Sequence, residues 1–173
     1  MEYPKRKNNR LIDYDYSKSG AYFITICTKD KNSILSELEY QFRRDSPCGC
    51  PQLKLTQLGN ICTDTICELE KKYSVRITNF IIMPNHVHLI VFIDCIERTG
   101  ASPVPTISNI IGAYKSIVAN KWLKVCKQNN MKMGNVWERS FYDHIIRDDE
   151  DYYIKARYIE ENPIRWCEKH NLL

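Results

Sequence analysis

Apolar runs separated by polar turns divide the chain into segments with strand-like and helix-like patterns. The first, "AYFITICT" at residues 21–28, is rich in β-branched and aromatic residues and predicts a strand. From Thr56 onward apolar residues recur every three or four positions, which predicts a helix. The runs "YSVRITNFIIM" and "HVHLIVFI" follow. They predict two strands paired as a hairpin, with a tight connection at Pro84–Asn85.

The second half of the chain predicts two more helices around a fourth strand. After the loop "ERTGASPVPT", one apolar face from Ile107 to Trp122 predicts a long helix that ends in "NNMKMGN". The segment "VWERSFYDHIIR", residues 136–147, predicts a strand. The segment "DDEDYYIKARYIEEN" predicts a final helix with Asp148 as its N-cap, and Pro163 is expected to end it at Asn162.

The resulting order is β-α-β-β-α-β with an additional C-terminal helix. It predicts an α+β fold with a ferredoxin-like antiparallel sheet and helices on one face. A length of 173 residues suits a single domain over residues 1–173. Residues 1–12 are expected to form a basic N-terminal arm. Residues 40–52, "YQFRRDSPCGCPQ", are expected to form an irregular insertion.

Composition places the chain among ordinary globular proteins, with 43% hydrophobic and 27% charged residues. It contains no apolar stretch long enough for a membrane helix, and its basic start is not followed by the apolar core of a secretory signal. We therefore expect a cytoplasmic protein. The net charge of +4 permits a polyanionic partner. Lys5, Arg6, Lys7 and Arg10 in the first ten residues predict either a phosphate-contacting arm or a solvated tail.

Eight cysteines are scattered along the chain. In the cytoplasm they are expected to remain reduced thiols, several of them inside apolar segments. A zinc site is the alternative interpretation for one group, although it lacks the CxxC pairs of usual zinc sites. That group comprises Cys48, Cys50, Cys62 and Cys67.

Two histidines open the third predicted strand, where a core segment would ordinarily carry apolar residues. Because alternate side chains of a strand point to the same face, His86 and His88 project together, about 7 Å apart along the strand. A lone histidine in such a place is usually a hydrogen-bonded core residue. The pair favours binding of a divalent cation instead.

The final helix carries residues that would complement this pair. Tyr152, Ala156 and Ile159 form its natural core stripe, whereas Tyr158 and Asn162 lie four residues apart on another face. A phenol, an amide and a bound cation together suit metal-assisted phosphoryl transfer, with the phenol as nucleophile. Helix packing is the alternative role of Tyr158.

Three separated motifs, "NFIIMPNHVHLIV", "VWERSFYDHIIR" and "ARYIEENPIRW", resemble those of the IS200-like tyrosine transposases. These are HUH enzymes that act on single-stranded DNA, and the closest likeness is to their REP-associated branch. The opening "DYSKSGAYFITICT" also resembles that branch. The resemblance extends from about Asp13 to Trp166.

The resemblance implies roles for particular residues. His86, His88 and Asn162 would bind Mg²⁺ or Mn²⁺, and Tyr158 would be the nucleophile that forms a 5′-phosphotyrosine. The implied substrate is single-stranded DNA with a hairpin, such as a repetitive palindromic element, cleaved beside the hairpin foot. Both a monomer and a homodimer that exchanges the tyrosine helix occur among such relatives. A non-catalytic hairpin-binding protein that retains the fold is the alternative function.

Other residues have two interpretations each. His144 is either a contact to the cleaved strand or a structural hydrogen-bonding residue, and Asp143 is a candidate to orient a ligand histidine. Arginines on these segments either contact phosphate or lie on a solvated face. They are Arg139, Arg147 and Arg165. Aromatic residues near the fourth strand either stack on unpaired bases or pack in the core. They are Trp137, Phe141 and Tyr142.

Overall fold

The computed structural model describes residues 20–41, 50–93 and 106–171. In these ranges the alternating segments form strands, and the segments with helical spacing form three α-helices. A short 3₁₀ turn, Lys29–Lys31, follows the first strand. The elements are β1 (Gly20–Cys27), β2 (Ser36–Gln41), β3 (Cys50–Leu55), α1 (Gln57–Tyr73), β4 (Val75–Met83), β5 (His86–Ile93), α2 (Ile107–Gln128), β6 (Tyr142–Ile146) and α3 (Asp149–Lys169).

Four of the strands form an antiparallel sheet in the order β4-β5-β1-β6. Strand β5 is central, which explains why its sequence is apolar on both faces. The predicted hairpin of β4 and β5 is confirmed, with Met83 opposite His86 across the turn at residues 84–85. The fold is therefore α+β, with a four-stranded antiparallel sheet and three helices.

The two faces of the sheet are covered differently. Helices α1 and α2 pack on one face, where Ile24 of β1, Leu89 of β5 and Ile110 of α2 belong to one buried cluster. Helix α3 covers the opposite face, where Ala156 and Ile159 pack on Ile90. Because side chains alternate along β5, this second face is also the one that carries His86 and His88.

Side-chain caps fix the predicted helix starts. Thr56 Oγ1 accepts the N–H of Gly59 at 3.1 Å at the start of α1. Asp148 Oδ1 accepts the N–H of Asp151 at 2.8 Å at the start of α3. Both caps satisfy backbone donors that the first helical turn leaves unpaired.

The prediction of an irregular segment at 40–52 is wrong for the residues at its two ends. Strands β2 and β3 form an antiparallel hairpin that includes residues 40–41 and 50–52, while residues 42–49 lie outside the described ranges. Leu38 lies opposite Leu53, and Lys54 Nζ contacts Glu39 Oε1 at 2.8 Å. The alternation on each side of residues 42–49 carried this signal, but each run is too short to stand out.

Strand β6, which corresponds to the fourth predicted strand, is shorter than predicted. Only residues 142–146 of the segment 136–147 are in the sheet. Trp137 forms a single bridge to Thr28. Residues 138–140, which precede β6, contact a lysine of α2. Lys115 Nζ donates to the carbonyls of residues 138, 139 and 140 at 3.0, 3.4 and 2.8 Å. Those carbonyls are thereby satisfied by an ammonium group from α2.

The prediction that Pro163 ends the last helix is also wrong, since α3 continues to Lys169. A proline inside a helix removes one backbone hydrogen bond and costs about 3 kcal/mol. Burial of Cys167 beyond it offsets part of this cost. The turns of α3 beyond Asn162 carry residues that the sequence-based prediction excluded from the helix. These residues lie in the functional site.

Some expectations fall outside the described residues. The basic arm at 1–12, including Lys5, Arg6, Lys7 and Arg10, lies there, as does Cys48. Within the described ranges, no helix combines the length and the apolar character needed to cross a membrane.

Candidate active-site cleft

The register of β5 against β1 sets the position of the histidine pair. His86 lies opposite Cys27 and His88 lies opposite Thr25, all on the face covered by α3. The two imidazole centroids are 4.5 Å apart with their planes at 70°, closer than the spacing along a strand implies. Both rings are thus directed toward the same space.

Helix α3 places Tyr158 over this pair. Its ring is half-buried and lies 5.3 Å from His88 and 5.9 Å from Phe23, edge-to-face in both cases. Asn162, one turn later, is only 5% exposed and hydrogen-bonds to His86. Asn162 therefore faces the sheet, contrary to the prediction that it lies off the core-facing side.

Asn162 faces the sheet because the sheet face that α3 covers is polar at one end. The N-terminal half of α3 packs its apolar stripe on Ile90. The C-terminal half lies over the histidines, and there the helix presents polar side chains to the sheet. The pattern of the helix alone does not reveal which part of the sheet each turn covers.

These residues line an open cleft of about 370 Å³ between the sheet and the C-terminal half of α3. Its walls are formed by β1, the turns at 29–31 and 84–85, β5 and α3. The lining residues are Thr25, Cys27, Lys31, Asn85, His86, His88, Tyr158, Asn162, Arg165, Trp166, Lys169 and His170.

Hydrogen bonds fix the orientation of both imidazoles. His86 Nδ1 lies 2.7 Å from Asn85 Oδ1, and Asn85 Nδ2 donates to the carbonyl of Lys31 at 3.3 Å. An amide oxygen only accepts, so His86 Nδ1 is the donor and Nε2 carries the lone pair. His88 Nδ1 lies 2.9 Å from Thr25 Oγ1.

Burial keeps both imidazoles neutral at physiological pH. It lowers the pKa of His86 from 6.5 to about 4; the hydrogen bond with Asn162 opposes this shift, and the charge of Lys169 adds to it. Burial lowers the pKa of His88 to about 3, with a further contribution from His86. The neutral imidazole is the form that binds metal ions.

The donor set fits a divalent cation. His86 and His88 supply two imidazoles, Asn162 supplies an amide, and this mixed nitrogen and oxygen set suits Mn²⁺ or Mg²⁺ with positions left for substrate oxygens. Among the described residues, no three histidine, cysteine, aspartate or glutamate side chains converge as a metal site.

The cysteine group does not support a zinc site within the described ranges. Cys62 is fully buried in the core beneath α1, whereas Cys67 is exposed on the same helix. The two thiols therefore lie on different sides of α1 and do not face one ion.

The electrostatic character of the cleft is positive. Three lining residues are cationic, Lys31, Arg165 and Lys169, and none of the lining residues is acidic. The Arg165 guanidinium carbon lies 5.4 Å from the centroid of the Tyr158 ring, and its Nη2 donates to Glu161 at 2.7 Å. Cationic side chains in the cleft attract the negative charge of a phosphodiester.

The last turns of α3 bring into the cleft three residues that had no role in the sequence-based prediction: Trp166, Lys169 and His170. Expecting the helix to end at Asn162 removed them from consideration. Their spacing carried a signal, because Tyr158, Asn162, Trp166 and His170 follow one another at intervals of four on a helix.

The other predicted residues lie elsewhere. His144 Nε2 contacts Asp151 Oδ2 at 2.7 Å and so connects β6 to the first turn of α3. Asp143 lies opposite Ile24, on the sheet face away from the histidines. Arg139 and Arg147 are exposed and do not line the cleft.

The three aromatic candidates divide in the same way. Trp137 and Phe141 pack against the core cluster beneath α1 and α2. Tyr142 is 58% exposed. None of them lines the cleft.

Comparisons with known proteins identify the family to which the chain is similar. The family described as IS200-like transposase matches residues 16–162. An uncharacterized protein of Haemophilus influenzae is 34% identical over 180 residues, covering 93% of this chain and 89% of that protein. A REP-associated tyrosine transposase of Escherichia coli K12 is 22% identical, covering 87% of this chain and 70% of that protein.

A solved structure is similar in fold. It is a REP-associated tyrosine transposase bound to a REP hairpin, with a TM-score of 0.53 and 18% identity. The match covers 90% of this chain and 73% of that one. At this identity the likeness concerns the fold, namely the four-stranded sheet with its helices.

Proposed function

The chain belongs to the IS200-like transposase family, and from that premise we propose that it is a metal-dependent endonuclease and strand transferase acting on single-stranded DNA. It is distantly similar to the REP-associated tyrosine transposases. One observation carries the proposal, the convergence on one cleft of a tyrosine, two imidazoles and an amide. These are Tyr158, His86, His88 and Asn162.

The proposed reaction is a phosphoryl transfer to Tyr158. Its phenolic oxygen attacks the scissile phosphorus, the bond from phosphorus to the 3′-oxygen breaks, and a 5′-phosphotyrosine forms. The phenol loses its proton to solvent and the departing 3′-oxygen takes one up, so the released strand ends in a 3′-hydroxyl. Attack of a 3′-hydroxyl on the phosphotyrosine reverses these steps and joins strands.

The chain's own residues would do three things in this reaction. Arg165 places positive charge beside the developing phenolate. His86, His88 and Asn162 would hold a Mg²⁺ or Mn²⁺ ion, which polarises the phosphate and stabilises charge on its oxygens. Asn85 and Thr25 would orient the imidazoles so that the ligand nitrogens face the cleft.

We extend the proposal to the substrate and to the state of assembly. The hairpin-bound relative suggests a hairpin in single-stranded DNA, such as a repetitive palindromic element. Tyr158 contacts His88 of the same chain, which supports action as a monomer. The sheet order β4-β5-β1-β6 supports the ferredoxin-like assignment.

The test uses labelled single-stranded hairpin oligonucleotides drawn from the repeats of the source genome. They are incubated with the protein and Mn²⁺ and run on a denaturing gel. We expect a labelled protein band that requires the metal and disappears in Tyr158→Phe, because that change removes only the attacking hydroxyl. Tyr153→Phe is the matched control, since Tyr153 is exposed on the same helix outside the cleft.

Two outcomes would contradict the proposal. A band that persists in Tyr158→Phe would assign the nucleophile to another residue, with Tyr152 and Tyr153 next in line. No band with the wild-type protein, while the oligonucleotides remain bound, would favour the non-catalytic hairpin-binding protein.

A further inference from the structure

We propose that the last two turns of α3 form a nucleobase-binding platform, with Trp166 and His170 stacking on an unpaired base next to the scissile phosphate. The inference rests on the proposed function for the identity of the ligand, single-stranded DNA. It adds a site that the nucleophile and the metal ligands do not include.

The platform is continuous with the reactive residues along one ridge of α3. Tyr158, Asn162 and Trp166 succeed one another at intervals of four residues, about 6 Å apart along the axis of α3, and the C-cap His170 follows at the same interval. All four line the same cleft. A strand whose phosphate lies at Tyr158 and the histidines therefore has its neighbouring nucleotide beside Trp166.

The two rings are already held in a stacked arrangement. Their centroids are 4.2 Å apart with the planes at 24°, and His170 Nδ1 lies 2.8 Å from the Trp166 carbonyl. The Trp166 ring also lies 6.0 Å from the His86 ring, measured between centroids. Trp166 is half-buried whereas His170 is exposed, so His170 presents an aromatic face that a base can extend.

The surroundings suit a nucleotide better than an apolar ligand. Lys31 and Lys169 line the same cleft as the stack, where they can contact phosphates that flank the base. Stacking on aromatic rings combined with cationic contacts to the backbone is the usual way proteins bind unpaired strands. Because every base has a π-face, the platform should tolerate different bases.

The test compares a 12-mer of thymidylate with a 12-mer of abasic nucleotides, both fluorescently labelled. All variants carry Tyr158→Phe, so no cleavage interferes. The parent should bind the thymidylate 12-mer roughly tenfold more tightly, the order expected for stacking of one base. Trp166→Leu should bind both 12-mers within about twofold of each other, whereas Trp166→Phe should keep most of the preference.

Charge and position controls separate stacking from backbone contact. Lys169→Gln should weaken binding of both 12-mers alike and reduce the slope of log K against log salt by about 0.7. Tyr153→Ala removes an exposed aromatic ring at the other end of α3 and should change neither affinity. Thermal unfolding of Trp166→Leu and Trp166→Phe checks that both variants are folded.

The results discriminate cleanly. A preference for the thymidylate 12-mer that survives in Trp166→Leu would overturn the platform. A parent protein that binds both 12-mers equally would also overturn it. If the wild-type protein, which retains Tyr158, forms no covalent adduct, the proposed function is contradicted instead. The two tests are independent, because binding of the 12-mers requires no cleavage.

Discussion

The ring of Tyr158 in α3 packs edge-on against the imidazole of His88 in β5, with 5.3 Å between the ring centroids. The contact joins the candidate nucleophile to a candidate metal ligand across the interface of helix and sheet. It depends on α3 lying over the polar end of the sheet. Substitutions that disturb either ring should therefore change the metal dependence of activity more than they change the stability of the fold.

Thr25 should control the metal affinity of His88. Thr25→Val keeps the side-chain shape but removes the hydroxyl that lies 2.9 Å from His88 Nδ1. We expect Mn²⁺ affinity to fall by roughly 10- to 100-fold, the usual effect of losing a group that orients a ligand. Titration calorimetry measures this, and Thr25→Ser, which keeps the hydroxyl, is the control. Equal affinities for the two variants would show that the hydroxyl does not orient His88.

Asn162 should act through its oxygen atom. Asn162→Leu keeps the branched shape of the side chain but offers no ligand, and we expect the Mn²⁺ concentration needed for half-maximal cleavage to rise by about tenfold or more. Asn162→Asp keeps an oxygen at the same place and should retain the response. If Asn162→Leu responds to Mn²⁺ like the wild type, Asn162 has only a structural role.

The histidine pair should make metal-free protein sensitive to acid. Burial lowers the pKa of His86 and His88 from 6.5 to about 4 and about 3. Between these pKa values the two histidines are protonated in the unfolded chain and neutral in the folded chain. The associated stability is complete above pH 6.5 and is lost as the pH falls, by about 2 kcal/mol per histidine at pH 5.

Urea unfolding in EDTA at pH 7 and pH 5 measures this loss. His88→Asn removes one of the two titrating groups and should reduce the loss between these pH values by about half. An unfolding free energy that is the same at both pH values would mean that the imidazoles protonate freely in the folded state.

Two glycines in helices should respond oppositely to alanine. A Cβ at Gly59 in α1 would meet the carbonyl oxygen of Leu35, so Gly59→Ala should destabilise the fold by about 1–3 kcal/mol. A Cβ at Gly112 in α2 meets nothing within 4 Å. Gly112→Ala should therefore stabilise by about 0.5–1 kcal/mol through better helix propensity. Thermal melts of both variants test the pair, and a stabilised Gly59→Ala would contradict the close packing of α1 on Leu35.

The sequence by itself determined the elements whose signal is local. The periodicity that begins at Thr56 and the N-cap Asp148 marked helix starts, because both signals act within a few residues. The alternation of β5 placed His86 and His88 on one face. Apolar residues on both faces of β5 indicated a central strand. The motifs around the histidines and Tyr158 indicated the family that the comparisons confirm.

Only the tertiary structure decided what depends on distant partners. Pro163 lies inside α3, where burial of Cys167 beyond it offsets part of a local penalty. Residues 138–140 lie outside β6, where Lys115 of another helix satisfies their carbonyls. Asn162 is buried because α3 covers the polar end of the sheet. Trp166 and His170 enter the cleft for the same reason, since long-range packing rather than local pattern sets how far the helix extends.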